Sequence, residues 1–74
     1  RLRWLREAMA KLSERELHIL RARQLQDDAK TLETLGGELG ISKERVRQIE
    51  SRALEKLRRT LLATHAAEAH HAAL

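Results

Sequence analysis

Gly40-Ile41-Ser42-Lys43-Glu44-Arg45-Val46-Arg47-Gln48-Ile49-Glu50 is the stretch on which the reading of this chain turns. A glycine supplies a tight turn, Ile41 is apolar, and Ser42 is a good helix N-cap. The helix that follows carries long polar side chains through its first two turns. Val46, Ile49, Ala53 and Leu57 share one of its faces. Glu44, Gln48, Ser51, Arg52 and Glu55 share the opposite one, with Arg47 at its edge and Lys43 in the first turn. An apolar inner stripe and a polar outer face at the start of a helix are the layout of a recognition helix in a helix-turn-helix.

The segment before it supplies the first helix of that motif. Thr31 is a candidate N-cap, and Leu32, Leu35 and Leu39 form a stripe at helical spacing. Gly36-Gly37 is costly inside a helix, at roughly 1 kcal/mol each relative to alanine. That cost is offset if another helix approaches closely. Further upstream, Ser13-Glu14-Arg15-Glu16 reads as a capping box. It opens a helix to about Gln24, apolar on two sides through Leu17, Ile19, Leu20 and Ala22. Leu5, Ala8, Met9 and Leu12 mark a first helix over about Leu2 to Lys11. Gln26 to Lys30 is a polar connector, and the last helix reaches about Leu62. The expected architecture is all-α, a small four-helix domain over residues 1–62 containing a helix-turn-helix. Residues 63–74 form an alanine- and histidine-rich tail that extends the last helix or is disordered.

Composition agrees. The chain has 74 residues, no cysteine, no proline and a single aromatic residue, Trp4. It is one domain, near the lower limit for a self-sufficient core. Without cysteine there is neither a disulfide framework nor a cysteine zinc site. His65, His70 and His71 lack the partners of a metal site, and Trp4 reads as packing. No stretch has membrane-spanning length, which predicts a cytoplasmic protein with no membrane contact. The start at Arg1 rather than methionine reads as a piece of something larger. The formal net charge is only +4, but Lys43 to Arg59 holds seven basic residues against three acidic ones. That concentration suits phosphates. Glu50 lies too near the core side for a free carboxylate, so an arginine partner is expected, Arg21 or Arg23. No phosphate loop, nucleophile-base pair or poised carboxylate pair is present, so no enzymatic activity or cofactor is expected.

Thr31-Leu32-Glu33-Thr34-Leu35-Gly36, Ile41 to Glu50, Arg52-Ala53-Leu54-Glu55-Lys56-Leu57 and Leu12-Ser13-Glu14-Arg15-Glu16 together resemble region 4 of bacterial sigma-70-family sigma factors. The resemblance covers about residues 5–62. Ile19 to Arg23 with Asp27-Asp28 looks most like the heat-shock branch in its alphaproteobacterial form. The resemblance implies promoter recognition in transcription initiation, in the bacterial cytoplasm at the nucleoid. The helix starting at Ser42 would read the minus-35 element while the domain is docked on core RNA polymerase through the flap of its beta subunit. Carried over by position, Lys43, Glu44, Arg47 and Gln48 would contact bases. Arg23, Leu32, Glu33, Ser42, Arg45 and Arg52 would contact the DNA backbone, some through main-chain amides. Lysine can donate to guanine, glutamate can accept from cytosine N4, and glutamine can pair with adenine. The implied partners are double-stranded promoter DNA and RNA polymerase core, with activators or an anti-sigma protein as further candidates and the domain itself a monomer.

Two positions depart from the family pattern. Lys43 stands where an arginine is common, and lysine lacks the bidentate fork. Glu55 stands where a basic residue often meets activators. The DNA-binding rival is the effector domain of response regulators of the LuxR type, which fits Leu12 to Leu17 but not Arg45 to Glu50. A second rival is a protein-interaction module that binds a flap or an anti-sigma protein without reading DNA.

Overall fold

The computed structural model describes residues 2–73, with the side chains of Leu2, Trp4 and residues 64–73 left aside. The readings of Trp4 and of the tail histidines therefore lie outside the described side chains. Four helices follow in order: α1 (Leu2–Met9), α2 (Glu14–Gln24), α3 (Leu32–Leu39) and α4 (Lys43–Ala73). The first three pack against α4.

Each helix start follows from its cap. The Ser13 hydroxyl accepts from the Glu16 amide at 3.1 Å, and the Glu16 carboxylate accepts from the Ser13 amide at 2.9 Å. Thr31 caps α3 by accepting from the Thr34 amide at 3.0 Å, and Ser42 caps α4 by accepting from the Arg45 amide at 3.0 Å. Two of the four orphan donors at a helix start are thus easily traced in the reciprocal box of α2.

Helix ends were harder to place from sequence. α1 stops at Met9 rather than Lys11. The Lys11 and Leu12 amides return to Ala8 and Met9, three residues back, which tightens the chain before the extended Ser13 cap. That turn buries Leu12. α4 runs past Leu62 to Ala73, in keeping with a tail that has no glycine or proline and much alanine.

Among the described residues the core has two parts strung along α4. Ile19, Ala22, Leu35, Val46 and Ile49 form the larger cluster, with Leu32, Leu39 and Ile41 packed against it. Leu12, Leu20 and Ala53 form the smaller, flanked by Leu17 and Leu57. α2 supplies both clusters, which explains its apolar residues on two sides. The α3–α4 turn is closed by Gly40 at φ 72°, and the Ile41 amide reaches back to the Gly36 carbonyl at 2.9 Å. Only one of the paired glycines is needed there. A Cβ on Gly36 would lie 2.7 Å from the Ile41 carbonyl oxygen, whereas one on Gly37 would meet nothing within 4 Å.

Candidate nucleic-acid interface

Val46 and Ala53 are fully buried and Ile49 nearly so, which fixes the rotation of α4 about its axis. Lys43, Glu44, Arg45, Arg47, Gln48, Ser51 and Arg52 are consequently all exposed. Four residues proposed as base readers thus form one continuous exposed surface over the first turns of α4, and the helix N-terminus points the same way.

The readers are already paired on the protein. Arg47 donates through Nε to Glu44 at 2.8 Å and through Nη2 to the other carboxylate oxygen. That fork pulls the Glu44 carboxyl below its ordinary range and raises the Arg47 guanidinium further. Arg45 Nη1 lies 3.4 Å from Gln48 Oε1, and Lys43 Nζ lies 3.8 Å from Glu33 Oε1. These are exposed pairs of long side chains, weak in water and readily exchanged for other partners. The surface is therefore charged and ordered without being locked.

A groove lies on each flank of α4. The first, of about 450 Å³, is formed by Arg23 of α2, Thr31 to Glu33 at the start of α3, and Lys43, Glu44 and Arg47. The second, of about 150 Å³, is formed by Ser13, Arg15 and Glu16 at the start of α2 with Arg45, Ile49 and Arg52. Of the backbone set, Arg23, Leu32 and Glu33 thus gather in the first groove, and Arg45 and Arg52 in the second. Ser42 caps the helix between them. The side chain of Leu32 packs partly on the core, so its main chain is the polar part it offers a ligand. At the start of α3 that main chain presents amides outward, a setting that favours anions.

The arginine expected beside Glu50 is Arg23, through Nε at 3.0 Å and Nη2 at 3.4 Å. Arg21 is exposed. Gln24 Nε2 adds a third hydrogen bond to Glu50 at 2.8 Å. Glu16 is held below its ordinary range, first by the Ser13 amide and then by Lys56, whose Nζ is 3.0 Å away. Arg15 joins the lining of the second groove although its position in the sequence marked it only as part of the capping box. Arg45 and Arg52 could be put on one flank of α4 by spacing alone. That the start of α2 lies beside them is a tertiary fact with no local signal.

A family model described as sigma-70, region 4 matches residues 8–59. The chain is 56% identical over 61 residues to the RNA polymerase sigma factor RpoH of Caulobacter vibrioides, covering 82% of this chain and 21% of that protein. Against the RNA polymerase sigma factor RpoH of Zymomonas mobilis it is 55% identical over 56 residues, 76% of this chain and 18% of the other. Against that of Rhizobium radiobacter it is 54% identical over 57 residues, 77% and 19%. The chain thus spans about a fifth of the length of the curated relatives it matches.

Proposed function

The chain belongs to the sigma-70 region 4 family, and from that premise we propose that it reads the minus-35 element of bacterial promoters while attached to core RNA polymerase. The resemblance to heat-shock sigma factors is supported by identities of 54–56% to the RpoH proteins. In this reading Lys43, Glu44, Arg47 and Gln48 enter the major groove and exchange their internal pairs for base edges. Each good base contact carries about 1–3 kcal/mol of discrimination. The two grooves flanking α4 receive the sugar-phosphate strands. Arg23 and the α3 amides with Leu32, Glu33 and Ser42 face one strand; Arg15, Arg45 and Arg52 face the other. The role is one of binding, with chemistry left to the polymerase.

The observation that carries this reading is the separation of α4 into a buried face of Val46, Ile49 and Ala53 and an exposed face holding every proposed base reader. The flap of the beta subunit is the proposed docking partner, and activators or an anti-sigma protein are further ones. Glu55 is paired with Arg59 at 3.2 Å, so activator contacts of the usual basic kind are not expected there. The family match does not favour the response-regulator reading.

The test is a selection over randomised duplexes with the domain tethered to polymerase core. Enrichment of one short motif at a fixed distance upstream is the expected result. A flat sequence profile would reject base reading and leave the interaction-only view.

A further inference from the structure

Glu50 takes no part in base reading, yet it is the most heavily hydrogen-bonded side chain of α4 among the described residues. Its carboxylate is buried and accepts from Arg23 Nε at 3.0 Å, Arg23 Nη2 at 3.4 Å and Gln24 Nε2 at 2.8 Å. Arg23 Nη1 donates to the Lys30 carbonyl at 3.0 Å. A guanidinium has five N–H groups, so this geometry leaves one on each terminal nitrogen. The Arg23 side chain is 25% exposed and lines the groove with Thr31, Glu33, Lys43 and Arg47.

Stability alone is a poor account of this arrangement. A buried ion pair contributes little over apolar residues of the same volume. It does fix a geometry. The fork on Glu50 and the bond to Lys30 hold one guanidinium between α4, α2 and the connector into α3. Two of those segments, α2 and α4, line the first groove, and the connector leads directly into its third wall at Thr31 to Glu33. Arginine side chains otherwise lose much rotamer freedom on binding, and a guanidinium fixed beforehand avoids that cost.

We propose that Glu50 is a positioning residue for DNA: it holds the Arg23 guanidinium so that its two remaining donors meet a phosphate at the mouth of the first groove. This rests on the DNA-binding reading given above. It makes a prediction opposite to that of charge. Removing a carboxylate beside a phosphate strand strengthens attraction. Removing a positioning group weakens binding.

The experiment measures the affinity of the full 74-residue chain for a minus-35 duplex and a random duplex across a salt series. The variants are Glu50→Gln, Arg23→Ala, Arg23→Lys, the double variant Glu50→Gln/Arg23→Ala, and Arg52→Ala as a control. Circular dichroism establishes that each is folded at the measuring temperature. Glu50→Gln is expected to lose roughly three- to tenfold on both duplexes, within the range of one charge-assisted hydrogen bond. Its salt slope should flatten by about one. Adding it to Arg23→Ala should cost nothing more, because the two act through one contact. Arg23→Lys keeps the charge but not the fork and should fall by a similar factor. Wild-type or tighter binding by Glu50→Gln, or additive losses in the double variant, would overturn the assignment. If Glu50→Gln does not fold, Arg23→Lys decides it, and undiminished affinity there overturns it. The DNA reading itself fails when the unaltered chain shows no salt-dependent binding even when tethered to polymerase core. When that chain binds and Arg52→Ala weakens it, an unaffected Glu50→Gln removes the positioning role alone.

Discussion

At the level of single residues, the two proposed kinds of DNA contact separate in their expected effects. Glu44→Ala and Gln48→Ala should relax base preference at particular promoter positions more than they reduce overall affinity. Arg52→Ala should instead weaken binding to every sequence and flatten the salt slope by about one. Equal effects of all three on specific and random duplexes would refute the division. Exposed Glu44 is within the grip of Arg47, so Glu44→Ala also frees an arginine, and the loss in specificity should exceed the loss in affinity for that reason. The glycines offer a second contrast. Gly36→Ala drives a Cβ to 2.7 Å from a backbone oxygen of the α3–α4 turn, which cannot yield without moving Ser42 and Lys43. A loss of about 1–3 kcal/mol is expected, the usual cost of forced overpacking. Gly37→Ala meets open space and should gain up to about 1 kcal/mol from helix propensity. Thermal melts of the two variants check both signs. The sequence marked the pair as anomalous without distinguishing its members. Which glycine faces the returning turn depends on how α3 packs, and no local pattern carries that.

Helix starts were legible because a cap is written in the residues that make it: Ser13, Thr31 and Ser42 each cap the helix their position announced. Helix ends were less so. Among the described residues, only Gly40 marks its helix end with a residue whose conformation requires it. α1 ends where Leu12 must turn inward, which is a packing event. Two predictions belong to these starts. Ser42→Ala leaves the Arg45 amide without its acceptor and should cost about 1 kcal/mol. The damage should also appear as weaker DNA binding, since this cap sets the position of Lys43 and Glu44. The capping box of α2 sets a pH dependence. Its Glu16 carboxyl is depressed in the folded protein, chiefly by the Ser13 amide and secondarily by Lys56. A depressed carboxyl stabilises the fold above its unfolded value, and that contribution disappears as the pH falls through the folded value. The loss therefore begins near the ordinary glutamate value of about 4.3 and completes below it. Melting curves of Glu16→Gln and the unaltered chain should differ at neutral pH and converge as the pH falls below the ordinary glutamate range. A gap that persists unchanged into acid would mean that the charge of Glu16 contributes nothing.

At the scale of the whole molecule, the proposed DNA-binding face lies on the same helix that holds the core together, so stability and the proposed recognition share α4. A chain of this size has about 4–11 kcal/mol of stability in all. Ile19 is completely buried in the cluster beneath the reading surface. Ile19→Ala should cost about 2–5 kcal/mol and lower the melting temperature by 10 °C or more. Cooling should restore its DNA binding, because no group that touches DNA is altered. The charge pattern was legible in the sequence, since Lys43 to Arg59 lie on one helix; the convergence of Arg15, Arg23 and the α3 start on its two flanks required the fold. If that convergence binds DNA as proposed, the interface is small with few base contacts, and four candidate readers cannot by themselves select a site from a genome. Affinity must come from attachment. A minus-35 duplex bound weakly by the free chain should be bound about 10²–10⁴-fold more tightly when the chain is tethered to polymerase at a length that spans the sites. The gain should depend on linker length and vanish when the linker is too short, while the order of preference among duplexes stays the same. A free chain that binds as tightly as the tethered one would show that the domain is self-sufficient. A changed order of preference would mean that the polymerase supplies part of the readout assigned here to Lys43, Glu44, Arg47 and Gln48.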